Sequence, residues 1–389
     1  MKSRYDILGN HIRLIDTRNI DNTTNRVMGI NIDKFFMPSV ANVIGTDLSK
    51  YKLITKGKFA CNPMHVGRDE RLPVALYEEK EPALVSPAYF MFEIIDNTIL
   101  DENYLMMWFR RSEFDRICWL HTDGSVRGGI TWDDICRMEL PVPDISKQRE
   151  IVKSYKIISD RIELKRKINH NLEATAQAIF QEKFAPYYDA DELPKGYSTV
   201  SLDSLCTVKG GKRLPADCEL LDTPTEHPYI RVRDVGSSRY VCINSQFQYI
   251  DEETHSAVSR YTVSTGDIVI SIVGTIGLLG KVHSSLNNAN LTENCVKLAD
   301  IHTVTSDYLY YTLCYKKQIR EIELLTVGAV QAKLPMYNIQ SMKILVPTEE
   351  AISDFQKRIN TFNKQIEANT MEIQRLYELQ DTLLSKLSA

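Results

Sequence analysis

The sequence predicts an α+β fold: two mostly-β globular domains separated by a pair of long antiparallel coiled-coil helices, with a pseudo-two-fold internal repeat. Two observations predict it. The stretch from about Tyr104 to Lys183 recurs, at a fixed offset of 204 residues and without an obvious gap, as Tyr308 to Leu387. Each copy ends in an apolar pattern with steps of three and four residues, which marks a coiled-coil seam. Matched positions include Tyr104-Leu105 with Tyr308-Leu309, Gly124 with Gly328, Ile135 with Ile339, Met138 with Met342, and Val142-Pro143 with Val346-Pro347. Upstream, residues 10 to 100 and 200 to 300 agree only in scattered short patterns. The expectation is a repeated frame carrying two different faces, divided into a domain over 1–144, a helix over 145–185, a domain over 186–347 and a helix over 348–389.

In the first domain, Lys56-Gly57-Lys58-Phe59 sits where Thr265-Gly266-Asp267-Ile268 sits later, and both read as a turn entering a strand. The first helix should begin after Pro141-Val142-Pro143-Asp144, because proline disfavours helix before it and Asp can cap exposed N–H groups. It should end before Pro186. Its seam runs through Ile151, Tyr155, Ile158, Ile162, Lys165, Asn169, Leu172, Ala176 and Ile179. Ile157, Leu164, Ile168 and Phe180 fall outside that seam and widen the apolar surface enough for a second protein to pack there. In the second domain, Tyr229 to Val235, Gln246 to Ile250 and Asp267 to Val273 read as strands, followed by a short helix near Asp307 to Gln318. The second seam runs through Phe355, Ile359, Phe362, Ile366, Asn369, Ile373, Leu376, Gln380, Leu383 and Leu387. Polar residues interrupt both seams at one level, Lys165 and Asn169 against Asn369. Two explanations stand open: a buried Asn that fixes register, or local solvation of an imperfect seam. Two-fold symmetry would make the helices antiparallel, each about 39 residues or roughly 58 Å long.

At 389 residues, 43% hydrophobic and 25% charged, the chain has the composition of a folded protein of two to three domains. Eight cysteines include no C-x-x-C pair, so neither a zinc site nor a disulfide framework is suggested, and a reducing cytoplasm fits. The start, Met1-Lys2-Ser3-Arg4-Tyr5-Asp6, lacks the apolar core of a signal peptide, and the longest apolar run, Ile268 to Gly280, is too short to span a bilayer. No membrane role is expected. The net charge of -4 counts against a nucleic-acid partner, which usually meets a basic domain. Charge is uneven, however: Ile145 to Lys183 holds nine Lys/Arg against five Asp/Glu, and small basic knots occur at Lys209, Lys212-Arg213 and Arg231-Val232-Arg233.

Tests for catalytic chemistry fail. Asn62-Pro63-Met64 lacks the second proline and the aromatic residue that hold an exocyclic amine in a methyltransferase loop. Gly274-Thr275-Ile276-Gly277-Leu278-Leu279-Gly280-Lys281-Val282 fails as a phosphate loop, since Thr275 stands where a glycine is needed and Val282 where a Ser/Thr is needed. It reads instead as a β-hairpin. No cluster has metal-ligand spacing and no nucleophile has an evident base. The chain is expected to catalyse nothing and to bind no metal or cofactor.

Two divergent β-rich units, each followed by a proline-flanked long helix, resemble the specificity (S) subunit of Type I restriction-modification enzymes. The resemblance spans essentially the whole chain. Its motifs are Val142-Pro143 with Gln148-Arg149-Glu150-Ile151; Lys56-Gly57-Lys58-Phe59-Ala60 with Asn62-Pro63-Met64 and Val85-Ser86-Pro87; and Gly266-Asp267-Ile268-Val269-Ile270-Ser271 with Gly274-Thr275-Ile276-Gly277. One departure stands at the second helix start, where Ile352 replaces the glutamine expected from Gln148. The resemblance implies a cytoplasmic, non-catalytic subunit whose two target recognition domains each read half of a split, asymmetric site in double-stranded DNA. It implies helices that act as a ruler and dock two methyltransferase (M) subunits, with restriction (R) subunits joining them in phage defence. S-adenosylmethionine, ATP and Mg are then expected on the partner subunits. Base reading needs forked or amide side chains at groove edges. The candidates are Arg18, Asn62, Arg68 and Ser86 in the first domain, and Lys209, Lys212, Arg213, Arg231, Arg233, Thr275, Asn290 and Asn294 in the second. Lysines suit phosphate better than bases. Three rival readings stay open: a DNA-recognition adaptor of another phage-defence assembly, a self-sufficient methyltransferase, and a purely structural coiled-coil scaffold.

Overall fold

The computed structural model describes residues 5–39, 45–64, 66–122, 128–236, 238–244, 246–328 and 332–388. Gly124 of the repeat lies outside them. The chain divides into two compact units, one holding the residues up to Asp160 together with those from Leu379 onward, the other Arg161–Glu378. Each unit thus contains a segment of both long helices, Ile145–Phe184 and Glu349–Ser385.

In the first unit, strands Ile12–Leu14, Phe90–Ile94, Phe59–Cys61 and Val74–Leu76 lie in that order in an antiparallel sheet. Gly57, at φ +82°, turns the chain two residues before Phe59, a left-handed conformation that favours glycine. Helices Glu102–Phe109 and Ser112–Leu120 pack Trp108, Phe109 and Phe114 against Phe59 and Phe92. Leu384, in the last turn of the second long helix, and Leu387, in the short turn Lys386–Ser388 that follows it, close the same core beside Ile151, Val152 and Tyr155. Burial of such side chains is worth about 1.5 to 3 kcal/mol each.

The second unit repeats this plan. Strands Thr207–Gly210, Cys295–Ala299, Ile268–Ser271 and Leu279–Val282 follow the same order, and Tyr240–Val241 adds a fifth, parallel strand. Gly266 turns into Ile268 at φ +88°. Ile268–Ser271 and Leu279–Val282 form the hairpin read from the glycine-rich stretch, closed by Gly277 N–H donating to the Ser271 carbonyl at 2.9 Å. A separate three-stranded sheet joins Gln248–Ile250, His227–Ile230 and Asn290–Leu291.

From residue 102 onward the two copies match element by element. Glu102–Phe109 corresponds to Ser306–Leu313, Ser112–Leu120 to Lys316–Leu325, Trp132–Cys136 to Met336–Ser341, and Glu139–Pro141 to Lys343–Val346, each start displaced by 204 residues. The expected single helix near Asp307 to Gln318 is therefore two. The strand expected over Tyr229 to Val235 stops at Ile230, because the Arg231 N–H is taken by Asp234 Oδ2 at 2.8 Å and the chain enters a tight turn.

The helices run antiparallel within the second unit. Lys165 Nζ donates to Asn369 Oδ1 at 2.9 Å and Asn369 Nδ2 to Asn169 Oδ1 at 2.8 Å, while Lys183 pairs with Asp354 at 2.5 Å. Asn169 and Asn369 are 6% and 1% exposed, so this level is a dry, mutually bonded pair rather than a solvated gap. In the first unit Gln380 Nε2 donates to Ser159 Oγ at 2.7 Å. Seam residues Ile162, Phe355, Ile366 and Leu376 are buried; Ile151, Ile158, Leu172, Ile179, Phe362 and Leu383 are half-buried. One expectation is corrected. Phe180 does not widen an outer face: the seam steps by four after Ala176, and Phe180 and Phe184 are buried against Tyr308 and Phe355.

Candidate nucleic-acid interface

The frame fixes each sheet on its helices through repeated bonds. Asp101 caps Glu102–Phe109 by accepting from Tyr104 N–H, and Thr305 caps Ser306–Leu313 by accepting from Tyr308 N–H. The Tyr104 hydroxyl donates to the Pro141 carbonyl at 3.1 Å, and the Tyr308 hydroxyl to the Leu345 carbonyl at 2.8 Å. At Gln148 the copies part. Its buried amide donates to the Ile99 and Pro143 carbonyls at 2.8 and 2.7 Å and accepts from Asp101 N–H at 2.9 Å. Ile352 can make none of these bonds, and in the second unit Thr305 donates to Gln356 Oε1 at 3.0 Å instead.

The second unit contains a buried ionic hub without a counterpart at the same positions of the first. Arg239 is fully buried, with its guanidinium 4.7 Å from the ring centres of Tyr310 and Tyr311. It pairs with Asp307 at 2.5 Å, which also takes Lys281 at 2.6 Å and the side-chain amides of Gln356 and Asn363 at 2.7 and 2.9 Å. Burial opposes ionisation of Asp307, but Arg239, Lys281 and the Gln356 amide outweigh it and hold the carboxyl at about 2. The first unit has Asn103, Met106 and Met107 where the second has Asp307, Tyr310 and Tyr311.

The sequence candidates scatter. Arg18 is tied to the Lys50 carbonyl at 2.7 Å and to Asp16. Asn62 accepts from Met64 N–H and Ser86 Oγ from Ala88 N–H, so both shape turns. Arg68 lies in the short helix Val66–Asp69, and its side chain is outside what is described. Two candidates are corrected to internal roles. Arg231 is committed to Asp234, Gln248 and the Gln246 carbonyl. Asn290, 1% exposed, accepts from His255 Nδ1 at 2.7 Å and donates to the Val258 carbonyl at 3.1 Å. A base edge cannot reach a buried, satisfied amide. Arg233 and Thr275 are exposed, and Asn294 is half-buried.

Lys209 and Lys212 do come together, at the cleft that Tyr261 lines. Lys209 lines a cleft of about 230 Å³ with Gly210, Arg260, Tyr261, Lys297 and Met336. Lys212 Nζ lies 5.8 Å from the Tyr261 ring centre, and Arg213 pairs with Glu293 at 2.8 Å while remaining largely exposed. A basic groove with an aromatic wall suits a phosphate backbone. Arg260, Tyr261 and Lys297 carry no signal in the sequence: they lie 51 to 88 residues from Lys209, with Lys297 set opposite it by strand pairing and Arg260 and Tyr261 meeting it at the cleft. Among the described residues no group of His, Cys, Asp or Glu could hold a metal ion, and no helix is long and apolar enough to cross a membrane.

Comparison with known proteins finds one family domain and relatives that extend beyond it. Residues 194–381 match the Type I restriction modification DNA specificity domain. The chain is 20% identical to the Type I restriction enzyme HindI specificity subunit of Haemophilus influenzae, over 91% of each protein. It is 22% identical to the MjaIX specificity subunit of Methanocaldococcus jannaschii, over 68% of this chain and 64% of that protein. The crystal structure of a Type I restriction-modification S subunit from M. genitalium covers 99% of this chain and 95% of its own at 15% identity and a TM-score of 0.50, a likeness of fold. Residues 194–381 thus carry the specificity domain of Type I restriction-modification systems, and the chain is similar over most of its length to Type I specificity subunits.

Proposed function

We propose that this subunit reads a bipartite, asymmetric site in double-stranded DNA, with residues 1–144 and 186–347 as its two target recognition domains and 145–185 and 348–389 as the helices between them. It directs adenine methylation by two M subunits and, with R subunits, cleavage of unmodified DNA. S-adenosylmethionine, ATP and Mg belong to those partners, and this chain supplies sequence choice alone. The observation that carries the reading is the contrast between an element-by-element repeat and the unlike surfaces built on it: a shared frame holds position while different faces read different half-sites. Lys209, Lys212 and Arg213 are proposed as phosphate and groove contacts. Arg18, Asn62, Ser86, Arg233, Thr275 and Asn294 remain as lesser candidates.

Methylation-sensitive long-read sequencing of the host with and without the gene tests this. Loss of methylation at one split motif is expected. An unchanged methylome in a host that expresses the M subunit would refute it. Inserting seven residues at matching levels of both helices should lengthen them by about 10 Å, or roughly 3 base pairs of recognised spacer.

A further inference from the structure

The two sheets differ at one pair of equivalent positions. In the first unit Arg13 lies directly across from Glu93 on the neighbouring strand, and Arg13 Nε and Nη2 donate to Glu93 Oε1 at 3.0 and 2.8 Å. In the second unit the same register places Lys209 directly across from Lys297. Like charges facing each other across a sheet destabilise it, whereas the Arg13–Glu93 arrangement stabilises it. Asp267 answers Lys297 at 3.4 Å, with its other contact being the Ser264 N–H. No side chain answers Lys209 or the exposed Arg260 among the described residues. Both line the cleft, beside Tyr261, which is 36% exposed.

Lysine also guards edge strands against unwanted pairing, and Thr207–Gly210 is an edge strand. That role does not explain Lys297, which stands on an interior strand. Nor does it explain Arg260, which follows the helix Glu252–Val258. Two opposed lysines and an arginine converging on one cleft are the arrangement an anion would neutralise.

We infer that Lys209 and Arg260, backed by Lys297 and Tyr261, form a seat for one phosphate group of the nucleic-acid backbone, a sequence-independent anchor that the first unit lacks at the corresponding place. This rests on the DNA-reading function proposed above. The seat positions the second face on the duplex and carries no base information.

The test uses the purified full chain and the substitution Lys209→Glu, which restores an opposite-charge pair with Lys297 and should leave thermal stability equal or higher. Binding to a duplex carrying the methylated motif and to an unrelated duplex is titrated over a range of salt. Lys209→Glu and Arg260→Ala should each weaken both duplexes by the same factor and reduce the salt slope by about one. Unchanged affinity would overturn the seat, and so would a loss confined to the motif duplex, which would mean base reading instead. A second arm adds millimolar inorganic phosphate. If phosphate alone raises the wild-type melting temperature and Lys209→Glu abolishes that rise without altering DNA affinity, the site takes a small free anion and the backbone assignment fails. If the wild-type chain binds no duplex, the proposed function fails separately. The phosphate arm then judges the cleft, and the absence of any phosphate effect rejects it as an anion site.

Discussion

The two units share one plan and differ in how they bury charge. The first hides Lys34, which is 4% exposed, bonded to Asp115 at 2.7 Å and 5.0 Å from the Phe114 ring centre. Burial pulls its pKa down against the pull of Asp115. Its sheet otherwise meets the helices through Met106, Met107, Val152 and Tyr155. The second hides Arg239 in a hub that ties Tyr240–Val241, Ser306–Leu313 and the second long helix to one carboxylate. A plan that survives this exchange is held by backbone pairing and by a few repeated bonds. The polar interior is free to vary with the face each unit presents.

The largest expected effect breaks the hub. Asp307→Asn leaves Arg239 buried without a counter-charge and should cost about 3 to 5 kcal/mol in chemical denaturation followed through the tyrosines of the second unit. Asn103→Ala, at the equivalent place, should change stability by less than about 0.5 kcal/mol. The pH dependence follows the same group. Its pKa falls from 3.8 to about 2 on folding, so its stabilisation is fully present above pH 3.8 and is lost as pH falls toward 2. That step amounts to about 2 kcal/mol, and Asp307→Asn should lack it. An identical acid transition in wild type and variant would remove Asp307 as the hub.

Making the first unit like the second at the helix entrance should have a smaller effect. Gln148→Ile strands Asp101 N–H and two carbonyls and should cost about 2 kcal/mol by thermal unfolding, while Ile352→Gln buries an amide without arranged partners and costs about 1 to 3 kcal/mol. If both are neutral, the difference between the two entrances has no energetic meaning. Smallest and most alike should be Tyr104→Phe and Tyr308→Phe, each losing one buried hydrogen bond worth about 1 kcal/mol. Unequal losses would show that the repeated bond does not do the same work in both units.

The frame was legible because a constant offset aligns whole helices, and helical periodicity marks their buried sides. The sheets were legible only in pieces, such as the hairpin of Ile268–Ser271 and Leu279–Val282. Their strands are two to five residues long, too short for a periodic signal, and the offset drifts from 196 between Ile12 and Val208 to 209 between the turn glycines Gly57 and Gly266 as loops change length. The same blindness affected the candidate site. Arg231 and Asn290 look like exposed groove readers in sequence, yet one is locked by Asp234 and the other by His255. Arg260 carries no sequence cue that it faces Lys209's cleft. Phe180 escaped because a single four-residue step moved it into the core.

Whether a constant frame carries independently variable faces is decided by replacing residues 207–299 with the corresponding span of a Type I specificity subunit and sequencing the methylated DNA of a host that expresses the chimera with M subunits. One half of the split motif should change while the other half and the spacer stay as they were. A folded chimera that changes both halves, or alters the spacer, would contradict that expectation.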